Sequence, residues 1–395
     1  MYRTKPYRQV TNNCFYHFEL CLVSIEMVEL FSCPGDTPQI QILNYDWCAN
    51  YIKTWPKIKS LIGVVMTAST RKILLLIVIV SLPCLLIASL SIGDSEVGLQ
   101  QVLNYFLGEK ISSIDRLVIQ DIRMPRAFAA ALTGAALGVS GAMLQGMLRN
   151  PLASPFLLGI SSGAGVCVVI LFALNVAAVW VPVGAWFGAV VASSLVFLIS
   201  YQRQRISLER LILAGVAVSS VLGSIQAIVL LRSDDTRIQN SLTWLSGTLA
   251  AITWDDLAFT WIPIVVCLLT SLIFAKQLNL ALLDDDTSQS LGLSIVKLRL
   301  MVGLIATILT ACAVCISGLV GFVGLVIPHM VRLVCGSNFM YVLPTSGLMG
   351  GVVLLGADTL ARSYLWELPV GLVTSLLGSP FFIYLLQRRH IHQSM

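Results

Sequence analysis

Eight stretches without a single Asp, Glu, Lys or Arg take up more than half of this 395-residue chain. They lie at 73–93, 127–148, 150–202, 211–231, 257–275, 300–331, 333–357 and 368–387. A helix crossing a bilayer needs about 20 apolar residues in a row, and every run but one reaches that length. A soluble domain is about a quarter charged; here the charged fraction is 11% and the mean hydropathy +0.86. The 150–202 run is long enough for two spans, broken near 175–182, and the 300–357 region, interrupted only by Arg332, for three. The pattern predicts an all-α membrane protein of nine or ten helices.

Charge placement orients the bundle. With Arg71 and Lys72 set inside, before the first span, twelve Lys and Arg fall in inner segments and seven in outer ones. That asymmetry predicts both termini inside, and so an even number of spans, ten. Trp180, Trp244, Trp254 and Trp366 then fall near the outer boundary, as an interfacial aromatic belt does.

Residues 1–65 read differently. They hold four of the ten cysteines, scattered aromatics and no span or signal-type apolar run. From Met66 the chain runs "MTASTRKILLLIVIV", a short polar lead, two cations and a first span. The expectation is a membrane domain over 66–395, preceded by a non-native or disordered extension.

Several chemistries lack their residues. No G-x-x-x-x-G-K-[ST] occurs, so any ATP is used by a separate chain. The four histidines are scattered, and no nucleophile–base or paired-carboxylate pattern suggests a catalytic residue. Cys312 and Cys315 form a C-x-x-C inside an apolar span, with no second pair to complete a metal site. Nothing points to nucleic acid. The spans hold no carboxylate except Asp358 near an outer end, whereas ion-coupled carriers keep ionisable groups near the midplane. An exporter driven by protons, and a membrane scaffold or sensor, remain the alternative classes.

Small residues recur at helical spacing. Gly134, Gly138 and Gly141 share one face of the second span and suit close helix packing. Just before them, "RMPRAF" places Arg123 and Arg126 at the outer end of that span, where they oppose both the helix dipole and the positive-inside bias. Such a placement suggests an external anionic partner; the alternative is snorkelling to lipid headgroups.

Together these stretches carry a family resemblance. "RMPRAFAAALTGAALGVSGAMLQGMLRNPLASPFLLGISSGAG" resembles the second and third spans of FecCD-type permeases. These are the membrane subunits of ABC importers for ferric siderophores, haem and vitamin B12. "GLVGFVGLVIPHMVRL" resembles their eighth span, and "ADTLARSYLWELPVGLVTSLLGSPFFIYLL" their ninth and tenth. The resemblance implies the type II ABC importer permease fold in a bacterial inner membrane, with no cofactor bound by the permease itself. Its implied partners are a second permease subunit, two cytoplasmic ATPase subunits and a periplasmic binding protein.

By the same resemblance, Arg123, Arg126 and Arg362 would face acidic residues of the binding protein. The stretch "NLALLDDDTSQSLGLSIVKLRL" resembles the coupling loop, two short helices that contact the ATPase, here about 279–297. The family pattern is A-L-G-[ED]-x-x-A-x-x-L-G. Leu283, Leu291 and Gly292 match it and Asp285 takes the acidic place, whereas Asp284 and Ser288 depart from it. The fifth span would line the substrate path, with Ser219, Ser220, Ser224 and Gln226 as candidates. Iron(III)–siderophore is the substrate the resemblance favours, haem and cobalamin the alternatives.

Overall fold

A computed structural model describes residues 68–93, 97–202, 205–364 and 368–393. The 1–65 extension, the start at Met66 and Trp366 lie outside the described residues. The chain is a helical bundle. Its elements are α1 (Ala68–Ser91), α2 (Leu99–Leu107), α3 (Ser113–Leu117), α4 (Met124–Met147), α5 (Ile160–Ala173), α6 (Val181–Ser200), α7 (Leu208–Leu231), α8 (Asp235–Leu245), α9 (Trp254–Ile273), α10 (Ala275–Leu280), α11 (Asp285–Ser290), α12 (Ile295–Ser317), α13 (Val323–Cys335), α14 (Phe339–Tyr364) and α15 (Val370–Gln393). A two-residue antiparallel ladder, β1 (Tyr201–Gln202) with β2 (Arg205–Ile206), joins α6 to α7.

Among the described residues, six helices are long and apolar enough to cross a membrane, and four more apolar helices have 10–17 residues. The 150–202 run divides into α5 and α6 around a break at 174–180, and the 300–357 region into α12, α13 and the body of α14. The short helices α2 and α8 are additions that an apolar-run reading does not register, because their sequences are half polar.

Glycines set the spacing at the centre. α4 packs against α12, α13 and α14. A Cβ on Gly134 would overlap the backbone of Gly350, one on Gly138 the Ser346 carbonyl, and one on Gly141 the Gly324 carbonyl. All three glycines of the sequence stripe thus lie where backbone meets backbone, the close approach that small residues permit in lipid. Gly163 and Gly188 bring α5 and α6 together in the same way. Cys312 and Cys315 are buried free thiols of α12, and Cys315 Sγ donates to the Pro182 carbonyl at 3.1 Å.

The start of α4 has a local cause. Pro125 has no N–H, and its ring crowds the carbonyl four residues back. The preceding turn, Val118–Arg123, widens to a π-helix in which the Met124 N–H reaches the Ile119 carbonyl, five residues back. Such widened turns are rare and are frequent at functional sites.

Candidate functional site

The two ends of the bundle carry the charged residues. One end holds the polar loop between α9 and α12, the β1–β2 ladder and the end of α4. The opposite end holds the C-termini of α1 and α14 and the start of α4.

At the opposite end the arginines turn inward. Arg126 lies flat on Asp358 of α14, with Nε 3.1 and 3.0 Å from the two carboxylate oxygens and Nη2 3.0 Å from Oδ1. Arg123 is 5% exposed and donates through Nη1 to the carbonyls of Leu90, in the last turn of α1, and Val97, the latter at 3.0 Å. Arg362 is 9% exposed and donates through Nη2 to the Ser89 carbonyl and, at 2.7 Å, to the Ser89 hydroxyl. The last carbonyls of a helix have no partner within it and carry the negative end of its dipole. Two arginines that oppose the dipole of their own segment, or merely end it, therefore complement that of α1.

The three side chains expected at the binding-protein contact are thus bonded within the subunit. The three guanidinium groups are held inside the subunit, and together they fasten α1, α4 and α14 at one end. Arg237 does the same for α5, donating to the Ala173 carbonyl at 2.7 Å. The exposed cations at this end are Lys110, Arg116 and Arg232.

The loop end is built as a folded unit. Ser288 is fully buried and its Oγ donates to the Leu280 carbonyl at 2.9 Å, tying α11 to α10. α11 closes with a Schellman arrangement: Leu293 N–H donates to the Ser288 carbonyl at 3.1 Å and Gly292 N–H to the Gln289 carbonyl at 2.8 Å. That closure needs the left-handed conformation, and Gly292 has φ +85°. The Leu-Gly of the motif is thus a helix stop, and it leaves Leu291 59% exposed. Asp285 accepts from Arg149 at 2.6 Å and from Arg299 at 3.0 Å.

The four loop residues therefore divide. Leu291 and Gly292 present an outward surface. Ser288 is buried and must be small to fit under α10, while Asp285, its side chain 40% exposed, is engaged by arginines of its own chain.

The candidate path residues divide as well. Ser220 and Ser224 are exposed on α7, their hydroxyls bonded to the carbonyls of Val216 and Ser220 at 2.9 Å each. Ser219 and Gln226 are partly buried and point toward α5, where they approach Gly159 and Gly165. Of all α7, only Leu211, Ala214, Gly215 and Val218 are buried.

Residues 74–388 match the FecCD transport family. The chain belongs to that family. It is 38% identical to the hemin transport system permease protein of Yersinia pestis over 69% of this chain and 84% of that one. It is also 38% identical to the cobalamin import system permease protein of Halobacterium salinarum, over 70% and 75%. With the Fe(3+)-citrate import system permease protein of Bacillus subtilis it shares 35% over 76% and 90%. A solved inward-facing structure of a metal-chelate type ABC transporter superposes with a TM-score of 0.72 at 31% identity, covering 80% of this chain and 98% of that one.

This FecCD protein is accordingly a multi-pass membrane permease of the ABC importer class, a transport subunit. The buried arginines and the Schellman stop are features that sequence reading missed. An arginine beside Asp358-type carboxylates in an apolar stretch is the signal that could have found the first, because neither charge is stable in lipid alone.

Proposed function

We propose that this permease carries an iron(III)–siderophore complex across a bacterial inner membrane, driven by ATP hydrolysed on a separate chain. All ten apolar helices cross, with both termini in the cytoplasm, so that the loop end is cytoplasmic and the opposite end periplasmic. A binding protein delivers the complex to the periplasmic end. The permease works as a homodimer, and the exposed face of α7 supports that reading: two copies bring Ser220 and Ser224 to a shared, weakly polar path.

The observation that carries the proposal is the two-helix unit at the loop end. It is braced by the Ser288 bond to Leu280, ends on an exposed Leu291, and belongs to a sequence with no nucleotide-binding motif. Such a unit suits a cleft on a soluble ATPase, which is how force can enter a passive channel.

The arginines take a different part from the one their positions suggest. By tying α1, α4 and α14 together, they fix the periplasmic rim on which the binding protein sits; the charge it meets is that of Lys110, Arg116 and Arg232.

A strain lacking this gene, grown under iron limitation, tests the substrate. Uptake of radiolabelled ferric siderophore should fall on deletion and return with the plasmid-borne gene. The hemin and cobalamin permeases among the relatives support a second reading, a haem or corrinoid substrate. Loss of labelled hemin or cobalamin uptake, with ferric siderophore uptake intact, would replace the first reading by the second.

A further inference from the structure

We infer that Asp285 is the positioning residue of the coupling loop, the single carboxylate through which the loop is held in register with the membrane helices. The inference rests on the coupling reading above and extends it to a residue that need not touch the ATPase.

The geometry concentrates on one side chain. Arg149, just past the end of α4, and Arg299, in the first turns of α12, both reach the same Asp285 oxygen, at 2.6 and 3.0 Å. Arg299 also reaches the second oxygen at 3.0 Å. Each arginine then makes one further bond: Arg149 Nε to the Ala281 carbonyl at 2.7 Å, and Arg299 Nη1 to the Ile206 carbonyl of β2 at 2.8 Å. One carboxylate thus joins the loop, α4, α12 and the β1–β2 ladder.

The arrangement is asymmetric in charge. Two cations share one anion, and the side chain of Arg299 is only 9% exposed. Removing the carboxylate does more than delete a bond. It leaves two guanidinium groups facing each other with no anion between them, one of them poorly hydrated. Arg149 is also held in the left-handed region, φ +50°, a conformation that bulky residues seldom adopt. Its place there is set by the Schellman closure of α4, in which the Arg149 N–H donates to the Gly146 carbonyl and the Asn150 N–H to the Gln145 carbonyl, at 3.2 Å each, and it aims the side chain at Asp285.

Within the loop Ser288 ties α11 to α10, and Leu278 and Ala281 seat α10 in the bundle's buried core. A second attachment, Asn279 Oδ1 accepting from the Phe339 N–H at 2.9 Å, fixes its other end to α14. With the Asp285 pin gone, α10 stays seated in the core while α11 loses its charged link to α4 and α12 and gains room to shift.

The test uses the whole importer in proteoliposomes, with a ferric hydroxamate chelate as the probe. Substrate moved per ATP hydrolysed should fall about fivefold in Asp285→Asn, the scale of one partly exposed ion pair. Asp285→Glu should restore most of the ratio. Arg149→Gln should lower it similarly, and the double variant Asp285→Asn/Arg149→Gln should be no worse than the singles. An unchanged ratio in both singles overturns the inference.

A second readout needs neither ATPase nor substrate. Nitroxide labels at exposed Gln289 and Leu152, in the full chain in nanodiscs, should give a broader distance distribution in Asp285→Asn than in the parent. An unaltered distribution also overturns it. Failure of the parent chain to bind any ATPase would instead sink the proposed function and leave the labelling result to decide this point.

Discussion

Arg126 and Asp358, 232 residues apart in sequence, meet in a two-pronged ion pair in which the carboxylate side chain is 1% exposed and the guanidinium 12%. The pair joins α4 to α14 at the end where Arg123 and Arg362 hold the last turn of α1. Neither charge could be left alone there: an unpaired ion in so dry a site costs several kcal/mol. The pair therefore behaves as a lock whose halves must be changed together.

Asp358→Ala, which strands the arginine, should destabilise the purified permease by about 3–5 kcal/mol. Arg126→Leu combined with Asp358→Leu should cost much less. Thermal unfolding in detergent measures both. Equal losses in the single and double variants would show that the pair is not the source of the stability.

Arg362→Gln and Arg123→Gln should loosen α1, because each removes donors from carbonyls that nothing else in the helix can satisfy. A buried bond of this kind is insensitive to salt, whereas a wet docking contact weakens as salt rises. Binding of the purified binding protein, titrated against salt, separates the two. A salt slope that falls on removing either arginine would mean that they reach the partner after all. Removing Lys110 and Arg116 should lower that slope instead.

Gly138→Leu should prevent α4 and α14 from approaching, since even a methyl group would overlap the Ser346 carbonyl. Overpacking costs about 1–3 kcal/mol where the backbone can shift, and more here because the neighbour is backbone. Gly356→Ala, on the same helix as Ser346, is the control, since its added Cβ would meet only the Leu85 side chain at an ordinary 3.6 Å. Size-exclusion profiles of the two should differ sharply; similar profiles would contradict the packing account.

Much of this was legible in the sequence because lipid leaves few options. Uncharged runs had to be helices, and the break near 175–182 fell between α5 and α6, whereas Arg332 lies in the last turn of α13 and the break between α12 and α13, at 318–322, falls within an uncharged run. The glycine stripe at 134, 138 and 141 could be read because three small residues on one face have little other use. What could not be read was the direction in which a long side chain turns. Arg123 looked outward because its own helix gave it no partner, yet the partner lay on α1, more than thirty residues away. Ser288 looked like a variant contact residue because its reason, the Leu280 carbonyl above it, belongs to the loop's own fold. Tertiary partners of polar groups are not written in local spacing.

Gly292→Ala should strain the Schellman stop by about 1 kcal/mol, shifting the angle at which Leu291 is presented without adding bulk. A modest loss of ATPase affinity is expected, visible as weaker co-purification. Affinity equal to the parent would show that the stop does not set the contact.

The most direct test is ATPase-driven uptake by the reconstituted importer. With ATP enclosed with the ATPase, labelled ferric chelate should accumulate across the membrane only when binding protein and ATP are both present. Leu291→Glu, which puts a charge on the exposed tip, should cost about 2 kcal/mol or more of ATPase association and abolish uptake. Accumulation driven by a proton gradient without ATP, or full ATP-driven uptake by the Leu291→Glu permease, would contradict it.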